Sequence, residues 1–161
     1  MTRRILLPTL ASAALLAAAC GKAPAPAGGT SSSTAAAPAG SDLTPWQLEH
    51  GVGPVTEPVA LGPVDKKLAH EGEELFGERC SSCHKADVRY VGPALGGVTE
   101  RRTPEFVMNM ILDPADMIAR HPVTKQLYAT HLVAMPNQGL TQEQAREVLE
   151  YLRTLPAPPA Q

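Results

Sequence analysis

The chain has 161 residues, with 14 Lys and Arg against 16 Asp and Glu, a formal net charge of −2, and three cysteines. A balance this close to neutral, and tilted acidic, excludes the basic footprint of a nucleic-acid binder. Once the terminal segments and a linker are set aside, length remains for one compact domain.

Arg3 and Arg4 precede an apolar stretch from Ile5 to Ala19, and Cys20 follows three alanines. A basic start, an apolar run and small residues at its end read as an export signal over 1–19. The run is shorter than the ~20 residues of a membrane span and contains Pro8, which argues against a transmembrane helix. It resembles a bacterial lipoprotein signal, with Ala17 where that family most often has Leu, and the resemblance implies lipid attachment at Cys20. The competing reading is an ordinary secretory signal cleaved near the same alanines; a lone exported thiol favours the lipid. Cleavage before Cys20 removes Arg3 and Arg4 and leaves the chain more acidic.

Residues 20–41 are the anchor cysteine and a linker. Ala23 to Ser41 is almost wholly Ala, Pro, Gly, Ser and Thr, with too little apolar bulk for a core. As a tether it spans about 25 Å as flexible coil and about 60 Å fully extended. Residues 42–64, with Trp46, His50 and several prolines and glycines, have two readings. They are an extension packing Trp46 on the domain that follows, or further linker with an incidental aromatic.

From Asp65 onward the pattern is all-α. Asp65 to Arg79 carries Leu68, Gly72, Leu75 and Phe76 on one helical stripe, with Glu71, Glu73, Glu74 and Glu78 as an acidic face. Cys80-Ser81-Ser82-Cys83-His84 follows. Two thiols one helical turn apart can reach the two vinyl groups of one porphyrin, and the adjacent imidazole can ligate its iron, so the motif predicts one covalent haem c held by Cys80 and Cys83, with His84 on the metal. A structural zinc site needs two further ligands at short spacing, and no second pair follows. A thioredoxin-like dithiol follows a strand, whereas the residues before Cys80 read as a helix.

Thr103-Pro104-Glu105 is the next start signal, with Phe106, Val107, Met110 and Ile111 on one face. That helix is expected to stop near Asp113-Pro114, which opens a short helix through Ala119. His121-Pro122 breaks it, with a further turn around Thr124 to Ala129. Thr141 and Gln144 form a capping box for a last helix with Ala145, Val148, Leu149 and Leu152 on its buried stripe, ended by Pro156; residues 157–161 are a tail. His50, His70 and His121 read as surface or capping residues. Lys85, Arg89, Arg101 and Arg102 cluster after the haem motif, opposite in sign to the first helix, either as a dipolar docking surface with partners for the haem propionates or as ordinary solvated charge.

Four methionines follow the haem motif. Met108, Met110 and Met117 fall in helical segments where packing is the default. Met135 differs, because Pro136 disfavours helical geometry at the residue before it and leaves Met135 on a loop. It is the expected sixth iron ligand, with Met117 and His131 as alternatives.

Residues 65–156 resemble the small monohaem class I cytochromes c, in which an N-terminal helix crosses a C-terminal helix beside a haem held by His and Met. Gly72 and Phe76 match that family's first-helix contact positions, Tyr151 its last-helix aromatic, and Met135 its axial methionine. Gly92-Pro93-Ala94-Leu95 resembles its Gly-Pro-x-Leu segment, which implies that the Pro93 carbonyl orients His84 and that Leu95 packs on the porphyrin. A narrower likeness runs through Arg102 to Glu105, Met108 to Leu112, Ala134 to Gln138 and Leu140-Thr141. It is to periplasmic cytochromes c encoded with bacterial nitrous oxide reduction systems. The resemblance implies a non-enzymatic carrier of single electrons, tethered in the periplasm, between a membrane donor and a reductase or oxidase such as nitrous oxide reductase. The alternative is a peroxidase-like enzyme or gas sensor with an open sixth site, for which His131 and Arg120 are the candidate distal residues.

Overall fold

A computed structural model describes residues 42–158. The export signal, Cys20 and the linker lie outside them. The described residues form seven helices and no strand: α1 Pro45–His50, α2 Lys66–Arg79, α3 Val98–Arg101, α4 Pro104–Leu112, α5 Pro114–Arg120, α6 Pro122–His131 and α7 Gln142–Leu152. This is the all-α class read from the pattern.

Four of these helices begin with a cap followed by proline, whose missing N–H costs nothing where helix donors are unpaired anyway. The caps are Thr44, Thr103, Asp113 and His121, and each side chain accepts a backbone N–H of the first turn. Asp65 caps α2 by accepting from Lys67 and Leu68, and Thr141 and Gln144 close the capping box of α7. Such caps contribute about 1 kcal/mol each. Three helices exceed the sequence expectation, among them the short α3, which no start signal announced. α6 runs the full length from Pro122 to His131 rather than one turn, because His121, a residue type outside the usual caps, satisfies its N terminus. α1 carries the same Thr-Pro start as α4 and a complete capping box between Thr44 and Gln47. At the other end, α7 stops at Leu152 and Arg153 caps it, before Pro156 is reached.

α2 and α7 form the most extensive helix pair. They cross at Gly72, where a Cβ would lie 1.9 Å from the Glu147 carbonyl oxygen, so no larger residue permits this approach. Phe76 and Tyr151 stack at a tilt beside the crossing, ring centroids 5.2 Å apart. Val107, Met108 and Ile111 of α4 join Phe76, Ala145, Val148, Leu149 and Leu152 in the main core. The apolar stripe of α7, which recurs at helical spacing, is thereby buried as expected.

Residues 42–64 are packed, not free. Leu43 and Val52 are buried with Phe106 and Met117 in a second cluster, and Val55 joins the main core. Trp46 is half-buried and stacks on His50, ring centroids 3.7 Å apart. Polar side chains from the helices hold the segment's backbone. Asn109, fully buried, donates to His50 and Val55 carbonyls and accepts from the Val55 N–H. Glu105 accepts from the Val59 N–H and pairs with His50 at 2.8 Å. His121 accepts from Val123 on Nδ1 and so must carry its proton on Nε2, which donates to the Leu48 carbonyl at 3.1 Å. Glu150, also fully buried, is held by Arg146 and Arg153, whose guanidinium groups reach on to the Ala60 and Gly62 carbonyls. His121 is thus a cap, as expected, but a buried one, and His50 is a hydrogen-bond partner of Glu105 rather than a surface residue.

Candidate haem site

The C terminus of α2 ends at the first motif cysteine: Cys80 caps it, with its N–H on the Phe76 carbonyl. The chain then closes a tight turn in which Cys83 and His84 both donate to the Cys80 carbonyl. Both thiols are free, and Cys80 is buried. Burial, with Cys83 nearby, pushes the Cys80 thiol up to about 11. His84 Nδ1 donates to the Pro93 carbonyl at 3.0 Å, which leaves Nε2 as the ring's lone-pair nitrogen. Burial lowers the His84 pKa, the Pro93 contact opposes this, and His131 adds to the lowering. Gly92 is the seat for the ring. A Cβ there would lie 2.4 Å from His84 Cε1.

These residues line one cavity of about 430 Å³. Cys80, Cys83, His84, Pro93 and Leu95 form one part of its wall. Val107, Met110 and Ile111 of α4, with Leu127 and Tyr128 of α6, form another, and the loop 133–138 brings Met135. Every site residue expected in 65–156 is therefore on this wall. Its only lysine or arginine side chains are Arg79, Arg101 and Arg102, and no carboxylate is among its residues. Met117 is not: it is fully buried in the second cluster, with Sδ accepting the Val52 N–H at 3.0 Å. Met108 is core, whereas Met110, expected as packing, faces the cavity. His131 lines the cavity, but Arg120 does not and pairs with Asp116 at the surface.

The profile of the Cytochrome c family matches residues 69–156. The chain belongs to the cytochrome c family. Its fold neighbours include a cytochrome c from Rhodothermus marinus, 48% identical, with a TM-score of 0.64 over 68% of this chain and 95% of that one. Among relatives by sequence are cytochrome c2 of Rhodopseudomonas palustris, 26% identical over 60% of this chain and 87% of the relative, and cytochrome c-551 of Stutzerimonas stutzeri, 30% identical over 55% and 80%. Membership brings covalent haem c as the cofactor and electron transfer as the class of function.

The cytochrome's own residues fit that group. The cavity is mostly apolar, has two free thiols at the end of one helix, and offers an imidazole whose other nitrogen is already spoken for. Three arginines on the wall suit the two carboxylates of a haem. Sequence reasoning missed two contributors, Gly92 as the seat of His84 and Met110 on the wall. A Gly before the Gly-Pro-x-Leu proline was visible, but what it makes room for was not. No helix among the described residues is long and apolar enough to cross a membrane.

Proposed function

We propose that this cytochrome is an exported, lipid-tethered monohaem carrier, taking single electrons from a membrane donor to a periplasmic reductase or oxidase, with nitrous oxide reductase as the acceptor suggested by its sequence likeness. Cys80 and Cys83 are the thioether positions, His84 and Met135 the axial ligands, and Pro93 and Leu95 the residues that orient His84 and cover the porphyrin. Cys20 is the lipid attachment. The observation that supports this is the shared wall: both thiols, His84 and Met135 line one apolar cavity.

Bound haem supplies a one-electron couple. The protein's part follows from the residues. The Pro93 carbonyl fixes the His84 tautomer with Nε2 available to a metal, and burial keeps the ring neutral, as a ligand must be. A soft thioether at Met135 favours the reduced state and raises the potential relative to a second imidazole. Apolar neighbours such as Leu95, Val107 and Ile111 exclude water. In the folded chain the Cys80 thiol stays protonated, so thioether formation suits a chain that has not yet closed around it.

Carbon monoxide binding to the reduced wild-type protein at neutral pH tests the carrier reading. Slow or negligible binding is expected of an iron filled on both sides. Fast, stoichiometric binding would move the assignment to an enzyme or sensor with an open site. Met135→His should abolish the weak long-wavelength band of a thioether on ferric haem and lower the potential. Cys20→Ser should release the haem domain to the soluble periplasmic fraction with its spectrum unchanged.

A further inference from the structure

Met135 sits on the irregular segment between the end of α6 at His131 and the start of α7 at Gln142. The backbone of this segment is bonded at its two ends alone. The Leu132 N–H donates to the Tyr128 carbonyl and the Ala145 N–H to the Thr141 carbonyl, and among the described residues no backbone–backbone hydrogen bond involves 133–140. No residue of 133–140 is fully buried, and Leu140 is its one apolar side chain packed against the main core. A segment with so few contacts is the kind that opens first.

Side chains supply what the backbone does not. Asn137 Oδ1 accepts the Gly139 N–H at 2.7 Å, closing a turn that the left-handed Gly139, φ +67°, permits. The Gln138 amide donates to the Pro136 carbonyl at 2.9 Å, inside the segment. The remaining bond leaves it: Asn137 Nδ2 donates to the Leu112 carbonyl at 2.8 Å. Among the described residues this is the only hydrogen bond from 133–140 to another element. Leu112 is the last residue of α4, so its carbonyl is one that the helix itself leaves unpaired. The same helix brings Val107, Met110 and Ile111 to the cavity wall, and Asn137 therefore ties the segment that bears Met135 to another part of that wall.

We propose that Asn137 is the positioning residue of the sixth ligand: its amide clamps the segment to the end of α4 and thereby holds Met135 at the cavity. The assignment rests on Met135 as the iron ligand. The two bonds of this one side chain act together, the turn shaping 137–139 and the clamp fixing it in place, so release of Met135 requires the Leu112 bond to open as well. The clamp is exposed and neutral and contributes modestly, which makes ligand exchange at the iron the property that reads it.

Imidazole binding to the oxidised, haem-loaded full chain tests the clamp. An imidazole nitrogen takes the place of the thioether sulfur: one metal–sulfur bond breaks, one metal–nitrogen bond forms, and no electron moves. Asn137→Ala removes both bonds of the side chain. Asn137→Asp at pH 7 keeps an acceptor for the Gly139 N–H and loses the donor to Leu112. Both variants should bind imidazole about fivefold more tightly than the wild type. Both should also lose part of the long-wavelength thioether band and show a lower reduction potential.

A shift in Asn137→Asp at least equal to that in Asn137→Ala assigns the effect to the clamp. Wild-type affinity in Asn137→Asp beside a shift in Asn137→Ala gives the effect to the turn and overturns the proposal. Urea midpoints that fall in both variants while imidazole affinity, band and potential stay at wild-type values also overturn it, since that is the result of a merely structural residue. Asn137 is exposed, so neither substitution enters the core. Failure of the ligand reading is separate: the wild type would then lack the band, or Met135→His would leave it in place.

Discussion

α4 serves two sides of the molecule, and they are built on opposite principles. Val107, Met110 and Ile111 face the haem cavity, whose wall is apolar and whose specificity comes from a few side chains set close together in sequence. Glu105 and Asn109, one turn apart on the same helix, face residues 50–59 and hold them by buried hydrogen bonds. An apolar cavity accepts any flat apolar group, and the thiols fix which one and how it lies. The extension buries Leu43, Val52 and Val55 and packs Leu48 and Val59 against the same clusters, and its backbone path is fixed by polar groups that are costly to leave unpaired. Changes on the first side should therefore remove chemistry, and changes on the second should remove stability while the haem spectrum stays the same.

The largest expected effect is on the cavity side. Replacing both Cys80 and Cys83 with alanine should abolish covalent haem, read as loss of haem signal after denaturing electrophoresis; haem that survives this treatment would overturn the attachment site. Next comes the polar side. Glu150→Ala leaves the Arg146 and Arg153 guanidinium groups facing each other without their shared carboxylate. It should cost about 3 kcal/mol in urea unfolding, with the absorption spectrum of the folded protein unchanged. Gly72→Ala lies between the two sides, and the added methyl meets the Glu147 carbonyl. A loss of about 2 kcal/mol is expected from forcing α2 and α7 apart. Asn109→Ala removes three hydrogen bonds to the extension, with about 2 kcal/mol lost and faster proteolysis within 50–59 as the sharper readout.

The smallest effect is on acid sensitivity. Burial tends to raise Glu105 and Glu150, but hydrogen bonds outweigh it, from the Val59 N–H and His50 for Glu105 and from Arg146 and Arg153 for Glu150, and both end below the usual carboxylate range. Their stabilisation is complete above the unfolded carboxylate pKa and is lost as pH falls through the lower folded values. Burial also holds His121 below its ordinary 6.5, so the folded state favours its neutral form and weakens in the same direction on acidification below that value. Urea midpoints should therefore drop from pH 7 to pH 4. Glu105→Gln should flatten the acidic limb; an unchanged limb would show that Glu105 is not among the groups linked to folding.

The elements legible in sequence carry their cause within a few residues. Thr103-Pro104 and Thr141 to Gln144 announce helix starts because caps act on the next turn, and α7 is legible from its apolar period. Thr44-Pro45 carries the same signal, but it is masked by the prolines and glycines of 42–64. The full length of α6 is not legible because His121 is not a usual cap, and its capping depends on burial against Leu48, 73 residues away. Met117 and Met110 cannot be told apart by sequence, since both sit on helical apolar positions and only packing sends one into the second cluster and the other to the cavity.

The sequence by itself determined the Cys80 to His84 spacing, the loop placement of Met135 before Pro136 and the starts of α2, α4, α5 and α7, all of which act through covalent geometry or neighbouring backbone. Tertiary structure decided the rest. It set residues 42–64 against the helices through Glu105, Asn109 and His121, and brought Met110, Tyr128 and Met135 to one cavity wall with Cys80 and His84. Those outcomes depend on contacts between residues tens of positions apart, whose energies exist only once the helices have packed.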